Sequence, residues 1–270
     1  MRCEPLQRGL AFGRYAFRLA WAEPSMVVLA VVEASVLILI IFAVHLEFEA
    51  GTMVSLRILG KVEIAELSLF TSLLLPKWIQ AFSYLAALSG IALSASIWSE
   101  MLNNPLLEQM LAIGINRWEA IVWKLIGTVA AFVANLTIFS LCAGAILTAK
   151  GWQGDVLPLL AAALSEAWWV TMICSWGLVM TMITDHPMSV LCLLTLVFFL
   201  LGPLVGSASQ VGRPLLMCLA MIVPPTGTMI DWTTLKVMGR ELPEISFAAT
   251  VVTPVANTLL GMLLFQRKDL

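Results

Sequence analysis

The stretch that decides the fold class lies between Trp78 and Ser99 and reads WIQAFSYLAALSGIALSASIWS, 22 residues without a charge. A helix rises about 1.5 Å per residue, so about 20 apolar residues cross the hydrocarbon core of a bilayer. Because lipid offers no hydrogen-bond partner to a peptide group, a crossing segment has to satisfy its backbone internally, as a helix does. The stretch therefore predicts a transmembrane helix.

The rest of the chain repeats this pattern. Of 270 residues, 60% are hydrophobic and 12% are charged, whereas about 25% of the residues in a soluble domain are charged. We predict an all-α, polytopic membrane protein that forms a single transmembrane domain over residues 1–270, with six transmembrane helices; seven spans are the alternative. The predicted spans are residues 25–46, 78–99, 125–149, 156–184, 188–207 and 246–266.

Three segments outside the spans have distinct compositions. Residues 1–24 contain four arginines and predict a cytoplasmic interfacial helix that turns its aromatic side chains, Phe12, Tyr15, Phe17 and Trp21, toward lipid. Residues 47–77 mix charged and apolar positions and predict an amphipathic interfacial helix. Residues 208–245 contain Pro224-Pro225, which would interrupt a continuous helix, so we predict broken, re-entrant external helices before the last span.

The distribution of basic residues gives a weak indication of orientation. With both termini in the cytoplasm, eight Lys and Arg residues lie inside and seven outside. The cluster of four arginines in the first 18 residues favours this orientation, since basic flanks stay on the cytoplasmic side. We expect an integral protein of the bacterial inner (cytoplasmic) membrane with both termini cytoplasmic.

Several function classes find no support in the sequence. The net charge of −2 indicates no nucleic-acid partner, and the five scattered cysteines form neither a CxxC motif nor a metal-ligand cluster. The only Gly-Lys pair, Gly60-Lys61, is followed by Val62 and lacks the upstream glycine of a phosphate-binding loop. We therefore expect no catalytic residues, no metal site and no enzymatic activity in this chain.

The polar connection between the second and third spans is the most informative segment. Residues 100–124 predict a short amphipathic helix over 106–113, bounded by Pro105 and Gly114, and a second helix that begins near Asn116, a good N-cap residue. An amphipathic helix on the cytoplasmic face offers a soluble partner a surface to bind. The opposing interpretation is a solvated connector without a partner.

This connection resembles the loop after the second span in permease subunits of type 2 ATP-binding cassette (ABC) exporters. That family's pattern is E-x-G-T-x-x-x-L-L-x-x-P-I-x-R-x-x-I-x-x-G-K. Here Glu100 lies near the leading acid, Met110-Leu111 fall on the paired leucines, and four further positions match: Ile115, Arg117, Ile121 and Lys124. Pro105-Leu106, Gly114 and Trp123 depart from it. The C-terminal Phe265-Gln-Arg267-Lys-Asp269-Leu is similar to the family's closing F-x-R-R-D-L.

The resemblance implies a permease that pairs with a second permease, as a homodimer or heterodimer, and docks a separate ATPase subunit. ATP and Mg²⁺ would be bound by that ATPase, and no cofactor by this chain. The loop over residues 100–124 would be a coupling loop, whose helix fits a cleft of the ATPase. The residues implied in coupling are Leu107, Glu108, Met110, Leu111 and Arg117.

Four polar residues lie near the middle of predicted spans: Glu33, Asn135, Glu166 and Asn257. A charged side chain at the bilayer centre costs about 2.5–3.5 kcal/mol on insertion scales, so such residues face protein or water, or stay neutral. One hypothesis places them along a polar translocation path or a dimer seam. The other makes the two acids neutral hydrogen-bonding groups that only hold helices together.

Two other functions stay open at this point. A non-transporting anchor or scaffold subunit would need neither an ATPase nor a path. An ion-coupled secondary carrier would use Glu33 or Glu166 without ATP. The sequence does not name a substrate.

Overall fold

The computed structural model describes residues 4–49, 52–58, 62–64, 75–103, 115–150, 157–184, 186–201 and 246–267. Four of its helices are long and apolar enough to cross a membrane, which agrees with the prediction of a helical integral membrane protein. The predicted re-entrant segment over 208–245 lies outside the described residues, as do residues 104–114 of the predicted coupling loop. The helices are α1 (Glu4–Ala22), α2 (Pro24–Ala43), α3 (Leu75–Asn103), α4 (Arg117–Ala149), α5 (Leu157–Thr184), α6 (Pro187–Thr195) and α7 (Ser246–Arg267).

Among the described residues the predicted spans correspond to helices, except that residues 44–46, the end of the first predicted span, belong to a β-strand. The candidate spans lie within α2, α3, α4 and α5. Helix α6 continues as a π-helix over Leu196–Leu201, and the two together form a shorter apolar helix of the fifth predicted span. Helix α7 contains Pro254 and covers the sixth predicted span.

A small antiparallel sheet replaces part of the amphipathic helix predicted over residues 47–77, so that prediction was wrong. The sheet has the order β1 (Val44–Glu49), β2 (Thr52–Ile58) and β3 (Val62–Ile64), and Glu49 pairs with Thr52. The sequence explains the difference, since polar and apolar residues alternate with a period of two from His45 to Glu49 and again from Val62 to Ile64. Helix α3 then begins at Leu75, slightly before the predicted start of the second span.

Contacts between helix ends define the two ends of the bundle. At one end, the Trp98 indole of α3 donates to the Cys174 carbonyl of α5 at 2.8 Å, and Arg117 of α4 donates to the Phe265 carbonyl of α7 at 3.3 Å. At the other end, the Lys150 ammonium donates to the Ile41 carbonyl of α2 at 2.8 Å. We call the first of these the loop end, because the chain enters and leaves the 104–114 loop there.

Helix α1 packs on the loop-end half of α4 instead of lying alone on the bilayer. Its glycines fit against α4, since a Cβ at Gly9 or Gly13 would meet the Trp123 indole. Phe12 is buried at 6% exposure, so the prediction that it faces lipid was wrong. Trp21 does stay exposed, and its ring stacks on Phe17 with the centroids 5.7 Å apart.

Helices α5 and α6, which fall in the fourth and fifth predicted spans, follow each other closely and pack together. Helix α5 ends at Thr184 and α6 begins at Pro187, which occupies the first turn, where the lack of an N–H is harmless. The pairing between α3 and α5 is close: a Cβ at Gly177 would collide with the Ser94 side chain. Small residues at helix crossings allow such an approach in membrane proteins.

Candidate functional site

The residues that flank the predicted coupling loop belong to one buried apolar cluster at the loop end. We call it the root cluster. It consists of Phe12, Trp98, Met101, Ile115, Ala120, Ile121, Leu178 and Phe265. Seven of these residues come from α1, α3, α4, α5 and α7, and Ile115 lies two residues before α4, so one cluster connects five helices.

Both sides of the loop are therefore fixed to the same core. Met101, near the end of α3, is 4% exposed, and Ile115, which follows the loop, is 9% exposed. The side chains of Phe265 and Ile121 are completely buried. Because close-packed side chains transmit displacement rather than absorb it, a movement of the loop would be carried into α1, α4, α5 and α7.

Helix α4 begins where the sequence predicts. The Asn116 N–H donates to the Glu119 carboxylate at 3.3 Å, and the Asn116 carbonyl accepts from the Ala120 N–H at 3.1 Å. A glutamate three residues after the cap satisfies an N–H that the helix leaves free. The start of α4, and with it the phase at which Arg117 and Ile121 face the bundle, is thus set locally.

Of the five predicted coupling residues, Arg117 is the one that the structure describes. Its guanidinium donates to the Phe265 carbonyl, and its central carbon lies 5.8 Å from the centroid of the Phe265 ring. Leu107, Glu108, Met110 and Leu111 lie outside the described residues. Arg117, the first residue of α4, thus connects that helix with the end of α7.

Lys124 lies one turn beyond the root cluster and is 5% exposed. The carboxylates of Glu23, between α1 and α2, and of Glu100, near the end of α3, interact with it electrostatically. Glu100 also lines a cavity of about 330 Å³ between α3 and α6. The cavity is lined by Ala92, Ala95, Ser96, Ser99, Glu100, Pro187, Met188 and Leu191.

The intramembrane polar residues are joined in pairs rather than brought together as a set of four. Asn135 donates its amide to Glu33 at 2.8 Å and so joins α2 to α4. The Ser83 hydroxyl donates to Glu166 and joins α3 to α5. Asn257 of α7 has a buried amide nitrogen that makes no hydrogen bond to the described residues.

Two of the contacts described above were not predicted from the sequence, those of Ser83 and of Phe12. Ser83 gave no signal, because serine is common in membrane helices. Phe12 was misplaced, although the small residues Gly9, Gly13, Ala16 and Ala20, spaced three or four apart, could have indicated a close helix contact.

The comparisons with known proteins leave the family undecided. No protein-family model matches this chain, and no curated protein matches it significantly.

The contact of Arg117 with Phe265 gives a testable stability effect. We expect Arg117→Gln to lower the free energy of unfolding by about 1–2 kcal/mol, less than a full charged hydrogen bond and a cation–π contact together, because the hydrogen bond is long at 3.3 Å. The free energy of unfolding of Arg117→Lys should lie between those of the wild type and Arg117→Gln, since lysine keeps the charge and loses the planar donor geometry. The measurement is unfolding by a denaturing detergent in mixed micelles.

Arg267→Gln is the matched control, because it removes one positive charge from an exposed position in the last turn of α7. We expect it to change stability by less than about 0.5 kcal/mol. Equal effects of the Arg117 and Arg267 substitutions would show that the contact with Phe265 contributes nothing.

Proposed function

We propose that this chain is the transmembrane permease subunit of an ABC exporter of the type 2 class. It would move its substrate outward using ATP hydrolysed by a separate ATPase subunit and would act as a pair with a second permease. The observation that carries the proposal is the root cluster, which ties both sides of the 104–114 loop to five helices. A loop that receives force from a partner needs such an attachment.

The residues that match the family's loop pattern support the same conclusion. Ile115 and Ile121 are buried in the root cluster, Arg117 bonds to α7, and Lys124 is buried below them. Phe265, from the matching C-terminal motif, is completely buried in that cluster. The matching positions therefore fasten the loop to the bundle, while the proposed contact residues Leu107, Glu108, Met110 and Leu111 lie on the loop itself.

The arrangement of helix ends supports six spans with both termini on one side. Trp98, Arg117 and Phe265 place the C-terminal end of α3, the start of α4 and the end of α7 at the loop end, together with α1. Spans that alternate in direction from α2 to α7 would produce this grouping. In the proposal the loop end is cytoplasmic, in the bacterial inner membrane.

The test is co-purification from native membranes in mild detergent, with every co-eluting chain identified by mass spectrometry. We expect a subunit with a phosphate-binding loop to co-elute with the wild-type protein. The combination Glu108→Arg with Leu111→Asp should remove it, because it changes two of the proposed coupling residues and none of the root-cluster residues. Size-exclusion chromatography checks that the variant stays folded.

Leu157→Asp is the control, since it places the same acidic residue at an exposed position at the opposite end of the bundle. We expect it to retain the ATPase. Undiminished co-purification of an ATPase with the loop variant would contradict the proposed coupling role. Labelling of the Leu107→Cys variant from the external side of intact cells would contradict the proposed orientation.

A further inference from the structure

The carboxyl group of Glu33 has an unusual position. It lies on α2, whose apolar stretch is 17% buried inside the bundle, against 39% to 67% in the other three candidate spans. Several of its neighbours on α2, such as Val31 at 59% exposure, face outward. Glu33 itself is 4% exposed, so it points into the bundle on the same narrow face of α2 as the buried residues Met26 and Leu29.

The two oxygens of this carboxyl group have different surroundings. Oε2 accepts the Asn135 amide at 2.8 Å. Oε1 is equally buried and has no hydrogen-bond partner among the described residues. Glu166, the other intramembrane acid, receives the Ser83 hydroxyl and has a further interaction as well.

Three kinds of partner could compensate the charge on Oε1: a basic side chain, a metal ion or a proton. Within the described part of the chain no Lys, Arg or His forms an ion pair with Glu33, and Asn135 is the polar group that acts on it. An unpaired carboxylate buried in apolar surroundings is costly by several kcal/mol. A metal ion needs several ligands, and the described residues contain no group of three His, Cys, Asp or Glu side chains. A single proton on Oε1 removes the charge and leaves a neutral O–H group, which costs much less to bury than an anion.

We propose that Glu33 binds a proton within the membrane and is a neutral carboxylic acid, oriented by the Asn135 amide between α2 and α4. Such a group is a modification site for an apolar carbodiimide, which dissolves in the lipid and reaches the buried carboxyl group when α2 moves away from α4. The proposal rests on the geometry of these two side chains and is independent of any ATPase.

The modification can be written as a balanced addition. The Glu33 carboxyl oxygen forms a bond to the central carbon of dicyclohexylcarbodiimide, and the carboxyl proton passes to one of its nitrogens. The O-acylisourea that results rearranges to a stable N-acylurea, with no leaving group and no change of oxidation state. An ionised carboxylate lacks the proton that this addition consumes.

The first experiment treats the full chain in detergent micelles or vesicles with dicyclohexylcarbodiimide and maps the added mass by peptide mass spectrometry. We expect the label on Glu33 and its complete loss from that peptide in Glu33→Gln. The water-soluble carbodiimide EDC should leave Glu33 unlabelled. In the control variant Glu166→Gln, which changes the other buried acid, labelling of Glu33 should persist.

The second experiment reads the proton directly and does not depend on access by a reagent. We expect the infrared spectrum to contain a carbonyl band of a protonated carboxylic acid that is absent from Glu33→Gln and shifted in Asn135→Leu, which removes the amide donor. Glu166→Gln should leave that band in place. An identical protonated-acid region in wild type and Glu33→Gln would overturn the proposal, as would a Glu33 that reacts with EDC alone.

Discussion

Replacing Gly127 with alanine is expected to displace α1 from the bundle and to lower the free energy of unfolding by about 3 kcal/mol, the upper part of the usual range for overpacking. A Cβ at this position would lie 2.8 Å from the Ala16 Cβ and 2.9 Å from the Phe17 backbone nitrogen, and it would also press on the Gly13 carbonyl. Backbone atoms cannot turn aside as a side chain can, so α1 has to move. The effect should appear although alanine favours a helix over glycine by up to about 1 kcal/mol.

Two measurements check this result. Denaturing-detergent titration gives the free energy of unfolding. Limited trypsin digestion reports whether α1 has detached, because trypsin can cleave after the exposed Arg14 and Arg18 once the helix is free to unfold. Ala130→Val is the control, as it adds volume at an exposed position of the same helix. A Gly127→Ala protein with wild-type stability and wild-type cleavage would show that α1 does not pack against α4 as described.

The crossing of α3 and α5 should be the next most sensitive position. We expect Gly177→Ala to lower the free energy of unfolding by about 2 kcal/mol, because the added Cβ collides with the Ser94 side chain and lies 3.0 Å from its Cβ. In contrast with Gly127, the obstacle is a side chain, so it can be removed by mutation. Ser94→Gly combined with Gly177→Ala should recover most of the loss.

A double-mutant cycle over Ser94 and Gly177 provides the measurement, with a coupling free energy of about 1–2 kcal/mol expected from residues in direct contact. The same titration in mixed micelles supplies all four values. Additive effects of the two substitutions would mean that the two helices do not meet at these residues. The crossing is important for the loop end, because Trp98 and Cys174, a turn away on each helix, form a hydrogen bond there.

The proposed coupling site illustrates how far a local pattern reaches. The start of α4 could be predicted from Asn116 and Glu119, since a capping interaction involves residues three apart in the chain. The contact of Arg117 with Phe265 joins residues 148 positions apart, and no local pattern indicates it. The same holds for Phe12, whose aromatic ring suits a lipid-facing or a buried position equally well.

The amphipathic helix predicted over residues 47–77 was wrong for a different reason. The charged and apolar residues of 47–77 suggest a helical period, whereas β1 and β3 follow a period of two and pair with β2. Short segments that mix both periods do not distinguish a helix from a strand. Hydrogen bonds between neighbouring strands stabilise the sheet, and they depend on pairing that the sequence of one segment does not specify.

Sequence by itself determined that this protein is built from apolar membrane helices, because the free energy of transferring 22 uncharged residues such as 78–99 into lipid depends on composition and length alone. It also located Glu33, Asn135 and Glu166, since polar residues inside such stretches are conspicuous. Only the tertiary structure decided that Glu33 meets Asn135, that Glu166 meets Ser83, and that α1 packs on α4. Those pairings depend on which faces of the helices come together, and in an apolar helix the sequence hardly distinguishes a face that meets lipid from one that meets protein.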